Sequence, residues 1–375
     1  MADAQPRARD EFYMRRACRL ALKGAGRTSP NPMVGAVLVR SGQVVGSGYH
    51  HFAGADHAEL VALKRAGRKA RGATLYLTLE PCSHYGRTPP CVDAVIRAGI
   101  REVVCGTRDP NPLVAGRGFR RLRHAGVIVR IGILERQCLM LIESFAKFIT
   151  QRLPFVTLKL AASLDGKIAA ASGDARWISG EESRRAVHGL RNRVDAVVIG
   201  SGTLKADDPQ LTCRLDGGRN PWRVVLDSRL SISLSAQILH QKDPDKTIIV
   251  SAAGAPAAKT RAIEALGAHV WRFPRGKGDV PWFPVLRKLA AMDVVNVLIE
   301  GGAKVAASAL REKVVDKIIF FYAPKIIGGD GVAMIGDLGI RRVTQALELE
   351  DVRFAKSGKD LLVTGYLSRA KLPRG

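Results

Sequence analysis

Apolar and polar positions follow two rhythms along this chain. Phe12, Ala17, Leu20 and Ala21 recur close to helical spacing, which predicts a helix over 11–23. Gly24, Gly26, Ser29, Pro30, Asn31 and Pro32 then interrupt it. Short apolar runs at 34–39 and 43–49, joined through Ser41-Gly42, predict a β-hairpin. Beyond it the pattern predicts helices over 58–66, 92–98 and 118–125, alternating with strands over 73–79, 102–106 and 127–131. That alternation is the mark of an α/β domain. A helix over 139–148 leads into Gln151-Arg152-Leu153-Pro154, and Pro154 ends it because its ring removes an N–H and clashes with the preceding turn. A strand over 155–161 starts at once. The domain boundary is expected there, giving domains 1–150 and 151–375. The second domain repeats the α/β rhythm, with strands predicted at 196–199, 223–227, 247–250, 294–299, 317–322 and 361–366. No tandem repeat or extended low-complexity tract is present.

Composition narrows the function classes. A length of 375 residues suffices for two ordinary domains. No apolar run approaches the ~18 residues of a membrane span, and the polar start of the chain lacks the apolar core of a secretory signal. A cytoplasmic protein with no membrane contact is expected. The formal net charge is +25. Its basic residues are scattered in pairs such as Arg15-Arg16, Arg120-Arg121 and Arg184-Arg185, and no basic block is interleaved with aromatics. The charge therefore suits phosphorylated small molecules, whose encounter a cationic surface accelerates, and a nucleic-acid partner is not expected. The chain has six cysteines, few for its length, and Cys18, Cys105, Cys138 and Cys213 lie in ordinary structural contexts.

Cys82 and Cys91 differ. His57-Ala58-Glu59 opens a predicted helix, Pro81-Cys82 closes a predicted strand, and Pro90-Cys91 opens the next helix. Zinc in catalytic sites takes three nitrogen or sulfur ligands and keeps a fourth position open. His57, Cys82 and Cys91 supply such a set, and a helix N-terminus favours the thiolate that binds metal. Glu59, two residues after His57, can exchange protons with water without being a ligand. His50, His51 and His84 are rival ligands on sequence alone.

The His-Ala-Glu, Pro-Cys and second Cys together resemble the zinc deaminases of the cytidine-deaminase fold, whose signature is H-x-E … P-C-x-x-C. This chain departs from it by placing eight residues between its cysteines. The run Pro81-Cys-Ser-His-Tyr-Gly-Arg-Thr-Pro-Pro-Cys91, with Ser29-Pro-Asn-Pro-Met-Val-Gly35 upstream, instead resembles the riboflavin-biosynthesis deaminases. The resemblance implies a three-layer domain with one zinc per chain that acts on a phosphoribosylated diaminopyrimidine. Ser83, His84, Arg87 and Thr88 would suit its phosphate or ribose, and Asn31 its pyrimidine edge. A solvated loop and a turn asparagine are the plain alternatives.

In the second domain, Lys159 to Gly166, Val198-Ile-Gly-Ser-Gly-Thr203, Asp207-Asp-Pro-Gln-Leu-Thr-Cys-Arg214 and Leu298-Ile-Glu-Gly-Gly302 stand at strand ends. A Gly-Gly turn leading into a helix offers backbone N–H groups to a diphosphate. The set and its order resemble the reductase domain that follows the deaminase in the same family, an α/β domain similar to dihydrofolate reductase. The resemblance implies that NADPH reduces the ribosyl group of the deaminated product to ribityl. The cofactor would lie against Ala161, Trp177, Thr203, Asp207, Ser228, Gly302, Ala303, Lys304, Val305, Ala306, Ala307 and Ser308. Ala175, Arg191, Leu211, Arg214 and Glu300 would face the substrate. Arg191 and Arg214 suit a phosphate, Glu300 suits ribose hydroxyls, and Ser228-Arg229 suit a 2′-phosphate. Lys159 and Asp165 are the nearest proton donors, although placement alone carries much of such a reduction. A homo-oligomer, dimer or larger, is implied through this domain. A polynucleotide deaminase with a basic second domain would explain the charge, but not the Gly-Gly turn or the long inter-cysteine loop.

Overall fold

The computed structural model describes residues 4–83, 90–274 and 281–368. His84, Arg87 and Thr88 lie outside the described residues. The chain forms two compact units that part between Arg152 and Leu153.

The first unit contains β1 (Gly35–Arg40), β2 (Gln43–Tyr49), β3 (Thr74–Leu79), β4 (Glu102–Thr107) and β5 (Ile128–Ile131), with helices α1 (Ala4–Ala21), α2 (Ala58–Ala66), α3 (Cys91–Arg97), α4 (Arg117–His124), α5 (Glu135–Leu141) and α6 (Glu143–Gln151). Its five strands run in the order β2-β1-β3-β4-β5. β1 pairs antiparallel with β2 and β3, whereas β3, β4 and β5 are parallel. Alternation along β1 feeds two cores. Ala36 and Leu38 pack with Ala58, Ala62, Val92, Val95 and Leu122 from α2, α3 and α4. Val37 and Val39 pack with Met14, Ala17 and Cys138 from α1 and α5. Both faces of the sheet are therefore covered, which makes three layers and explains why the central strands read as unbroken apolar runs.

The second unit carries β6 (Phe155–Ser163), β7 (Lys167–Ala169), β8 (Ala196–Gly200), β9 (Trp222–Leu226), β10 (Thr247–Ala252), β11 (His269–Phe273), β12 (Asn296–Ile299), β13 (Lys317–Ala323), β14 (Val332–Ala333), β15 (Leu349–Ser357) and β16 (Asp360–Leu367). Its helices are α7 (Glu181–Arg193), α8 (Ser201–Asp207), α9 (Ala257–Ala265), α10 (Trp282–Ala290) and α11 (Ala303–Arg311). Nine strands form one sheet in the order β11-β10-β9-β8-β12-β6-β13-β16-β15, and β14 pairs with β7 apart from it. The strands from β11 to β13 are parallel, and β16 and β15 extend the sheet antiparallel. One face buries Val156, Leu158, Val198 and Val250 against Trp282, Val285, Leu289, Ala306 and Leu310 of α10 and α11. The other buries Val197, Ile199, Val225 and Ile249 with Leu204 of α8 and Ile263 of α9. Going from β9 to β8 and then to β12 and β6, the chain order reverses. Open α/β sheets form their ligand crevice at the carboxyl ends of strands at such a reversal.

Candidate metal centre and cofactor crevice

Glycine sets the position of α2. A Cβ on Gly46 would stand 2.4 Å from the Ala62 carbonyl oxygen, and one on Gly48 would stand 2.6 Å from that of Ala58. Without side chains there, α2 lies flush on β2. Its N-cap is His57, in extended conformation, and Glu59 falls in its first turn. β3 delivers Glu80-Pro81-Cys82, and Cys91 is the first residue of α3. The Cys91 N–H donates to Cys82 Sγ at 3.2 Å, and the Val92 N–H donates to the Cys82 carbonyl at 3.2 Å. His57 Nδ1 lies 3.1 Å from Cys91 Sγ and 3.7 Å from Cys82 Sγ.

The three donor atoms lie within 4.8 Å of one another. Zinc bonds of 2.0–2.3 Å in tetrahedral geometry require donors about 3.5–3.8 Å apart, so one nitrogen and two sulfurs here fit zinc. Hydrogen bonding from Cys91, then from His57, brings the Cys82 thiol down to about 4, in favour of a thiolate. Glu59 is buried, and among the described residues its Oε2 has no hydrogen-bond partner. Burial pushes its carboxyl up to about 7. A carboxyl so placed can both take and return a proton.

Of the rival histidines, His50 is a neighbour of the cluster. It is buried, and its ring stands edge-on to that of His57, centroids 5.3 Å apart. One ring nitrogen meets Asn31 Nδ2 at 3.1 Å and the other meets the Asp56 carbonyl at 3.2 Å. Burial lowers its pKa, which keeps the imidazole neutral. Asn31 thus reaches the site through His50. His51 instead stacks on Tyr49.

The spacing did not reveal Glu80. This buried carboxylate accepts the N–H groups of Asp109 (3.2 Å), Gly116 (2.9 Å) and Phe119 (3.2 Å). It ties the turn after β4 and the start of α4 to the segment carrying Cys82. A glutamate directly before Pro-Cys at a strand end was the available signal.

In the second unit, Thr203 Oγ1 accepts the Gly302 N–H at 3.0 Å, bringing α8 and the Gly301-Gly302 turn together. A Cβ on Gly202 would meet nothing within 4 Å, so open space adjoins the turn. Gly302 caps α11, whose first-turn N–H groups lack helical partners and suit a diphosphate. Lys304 and Val305 lie in the same turn, and Val305 fills the space a side chain on Gly200 or Gly301 would need. Further along, Ala306 and Ala307 are buried, and Ser308 Oγ accepts from Trp282 Nε1 at 3.0 Å. The less buried part of α11 is therefore its start, because a helix turns successive residues towards the core. Ala161, on β6, is half-buried, and Ser228 follows β9, its carbonyl accepting from Ala252 N–H. Trp177 is exposed, and the Arg184 guanidinium lies 4.8 Å from its ring centroid. The Asp207 carbonyl accepts from Arg176.

Arg191 holds Glu300 in a bidentate pair, with bonds of 2.7 and 3.0 Å, and donates to the Thr212 carbonyl. Its guanidinium is thus already engaged, unlike a group awaiting a phosphate. Burial raises the Glu300 carboxyl, but Arg191 outweighs this and keeps it below its ordinary value. Arg214 is exposed and Ala175 half-buried. Leu211 turns its side chain into the core, leaving only its backbone for a ligand. The two candidate proton donors separate clearly. Asp165 accepts from the Ser163 hydroxyl and from the N–H groups of Ile327 and Gly328, which hold its carboxyl at about 2, so it stays ionised. Removal from water lowers the pKa of Lys159, near Glu300, and so makes it the readier donor.

Comparison with known proteins identifies the family of each unit. Residues 7–107 match the family model of the cytidine and deoxycytidylate deaminase zinc-binding region, and residues 154–363 match that of the RibD C-terminal domain. The chain is 42% identical to the riboflavin biosynthesis protein RibD of Aquifex aeolicus, over 94% of this chain and 97% of that protein. It superposes on RibD of Acinetobacter baumannii with a TM-score of 0.85 at 36% identity, covering 96% and 99% of the two chains. A diaminohydroxyphosphoribosylaminopyrimidine deaminase/5-amino-6-(5-phosphoribosylamino)uracil reductase from Thermotoga maritima gives 0.83 at 38% identity, with the same coverage.

Proposed function

The chain belongs to the RibD family, and on that premise we propose which of its residues carry each reaction. The protein is a bifunctional enzyme of riboflavin biosynthesis. Its deaminase unit removes an amino group from 2,5-diamino-6-(5-phosphoribosylamino)pyrimidin-4-one, and its reductase unit converts the product's ribosyl group to ribityl phosphate with NADPH.

His57, Cys82 and Cys91 hold zinc. The metal supplies the acidity that makes water a nucleophile near neutral pH. Glu59 takes the two protons of the attacking water in turn, passing the first to the ring nitrogen and the second, from the hydroxyl of the adduct, to the amino group that leaves as ammonia. His50 and Asn31 orient the pyrimidine beside them. The observation that carries this reading is the buried, unpaired Glu59 oxygen next to a nitrogen–sulfur–sulfur donor set.

In the reductase unit, the turns at Gly202-Thr203 and Gly302-Lys304 hold the diphosphate of NADPH, and Ser228 and Arg229 hold its 2′-phosphate. NADPH supplies the hydride. Glu300, fixed by Arg191, accepts from ribose hydroxyls, Arg214 meets the substrate phosphate, and Lys159 gives the proton.

We assign the protein to the cytoplasm, on the support of six cysteines that are all free thiols. Among the described residues no helix is long and apolar enough to cross a membrane. A second copy of the chain is assigned to the exposed side chains of β15, Val352 and Phe354.

Glu59→Gln tests the deaminase reading. The variant should retain one zinc per chain by metal analysis, lose deamination by at least about 10³-fold, and reduce pre-deaminated substrate at the normal rate. Undiminished deamination would remove Glu59 from the mechanism.

A further inference from the structure

After β4 the chain turns through Arg108 and Asp109 and enters α4 behind Gly116. Gly116 is in the left-handed region, with φ +76. A Cβ placed on it would stand 3.6 Å from Arg120 Nη1 and 3.8 Å from Arg108 Nε. Two guanidinium groups therefore converge on the space above one glycine.

Both arginines are exposed, and among the described residues neither guanidinium is paired with a carboxylate. Arg121, next along the helix, shows the contrast: it pairs with Asp93 and donates to the Ser83 carbonyl. Two acids of this region already accept backbone N–H groups, Glu80 that of Gly116 itself. Glu80 is committed to three backbone N–H groups, and Asp109 Oδ1 takes the Asn111 N–H at 2.8 Å. Two like charges gathered in this way repel, and an anion between them reverses the sign of the interaction. Guanidinium forks match phosphate oxygens in shape as well as charge.

The segment that carries the pair is tied to the one that carries Cys82. Glu80 anchors Gly116 and Asp109 and precedes Cys82 by two residues, and a Cβ on Gly118 would stand 2.4 Å from the Pro81 carbonyl oxygen. We propose that Arg108 and Arg120 form the subsite that takes the phosphate monoester of the deaminase substrate. This rests on the reading that the first unit deaminates a phosphoribosylated pyrimidine.

Steady-state deamination of the phosphorylated substrate and of its dephosphorylated ribonucleoside would be compared in wild type, Arg108→Ala, Arg120→Ala and the double variant. Each single variant should raise KM for the phosphorylated substrate about tenfold, and the double about 100-fold, with kcat little changed. KM for the dephosphorylated compound should not move. Inorganic phosphate should compete in wild type and fail to compete in the double variant, and lysine at both positions should restore part of the affinity. Thermal melts and the reductase rate, read in parallel, report whether the variants fold. A double variant with wild-type KM and intact phosphate inhibition would overturn the subsite. So would a loss confined to kcat, or a loss of binding to single-stranded RNA with KM unchanged. Wild type that fails to deaminate the phosphorylated substrate at all would instead sink the activity on which the subsite rests.

Discussion

At the scale of single residues, the buried Arg191–Glu300 pair is the arrangement most open to test. Its side chains are 14% and 9% exposed, so solvent screens them little. Breaking such a pair leaves one charge stranded and costs about 3–5 kcal/mol, whereas replacing both partners by apolar groups is nearly neutral. Arg191→Ala should lower the denaturation midpoint of the second unit. The double change Arg191→Met with Glu300→Leu should recover most of that stability and still not reduce substrate. If the double variant keeps full reductase activity, Glu300 has no place in the reaction. Residues of this kind were partly legible. His57, Glu59, Cys82 and Cys91 could be read because local spacing assigns each to an element end. Glu80 could not, because its three partners stand 29, 36 and 39 residues away. The same holds for Arg191, whose partner is 109 residues on. Spacing identified it as a cation but not as one already engaged.

At the scale of elements, the central strands of both sheets were read correctly because burial on both faces leaves an apolar run. The edges were not. β15 carries Leu349-Glu-Asp-Val-Arg-Phe-Ala-Lys-Ser357, and all but the last of its residues are exposed. With no buried face, the strand has no alternation to read. The helix expected over 139–148 is two helices, α5 and α6, meeting at Ile142, which leaves helical geometry at φ −113 while staying buried. An apolar pattern that continues across the break conceals it. β15 also makes the oligomer testable. It is an edge strand that exposes Val352 (39%) and Phe354 (68%). Phe354→Lys should shift the sedimentation mass towards that of a single chain at micromolar concentration and leave both cofactor sites intact. An unchanged mass would place any second copy elsewhere.

At the scale of the whole molecule, two sheets with separate cores imply two separable chemistries. Stripping zinc with a chelator should abolish deamination while NADPH-dependent reduction of pre-deaminated substrate proceeds unchanged. Saturating NADPH should stabilise the second unit, by about 2.7 kcal/mol at 100 times Kd, with or without zinc. Loss of reduction on chelation would show that the two units depend on each other. That the units part between Arg152 and Leu153 within one polypeptide has a consequence for supply. Every ribosome that makes a deaminase also makes a reductase, so their ratio is fixed by translation at one to one. Changes in gene expression scale both steps together. The steady-state level of the intermediate then follows from the kinetic constants of the two units and the supply of substrate and NADPH, and no change in relative expression can lower it.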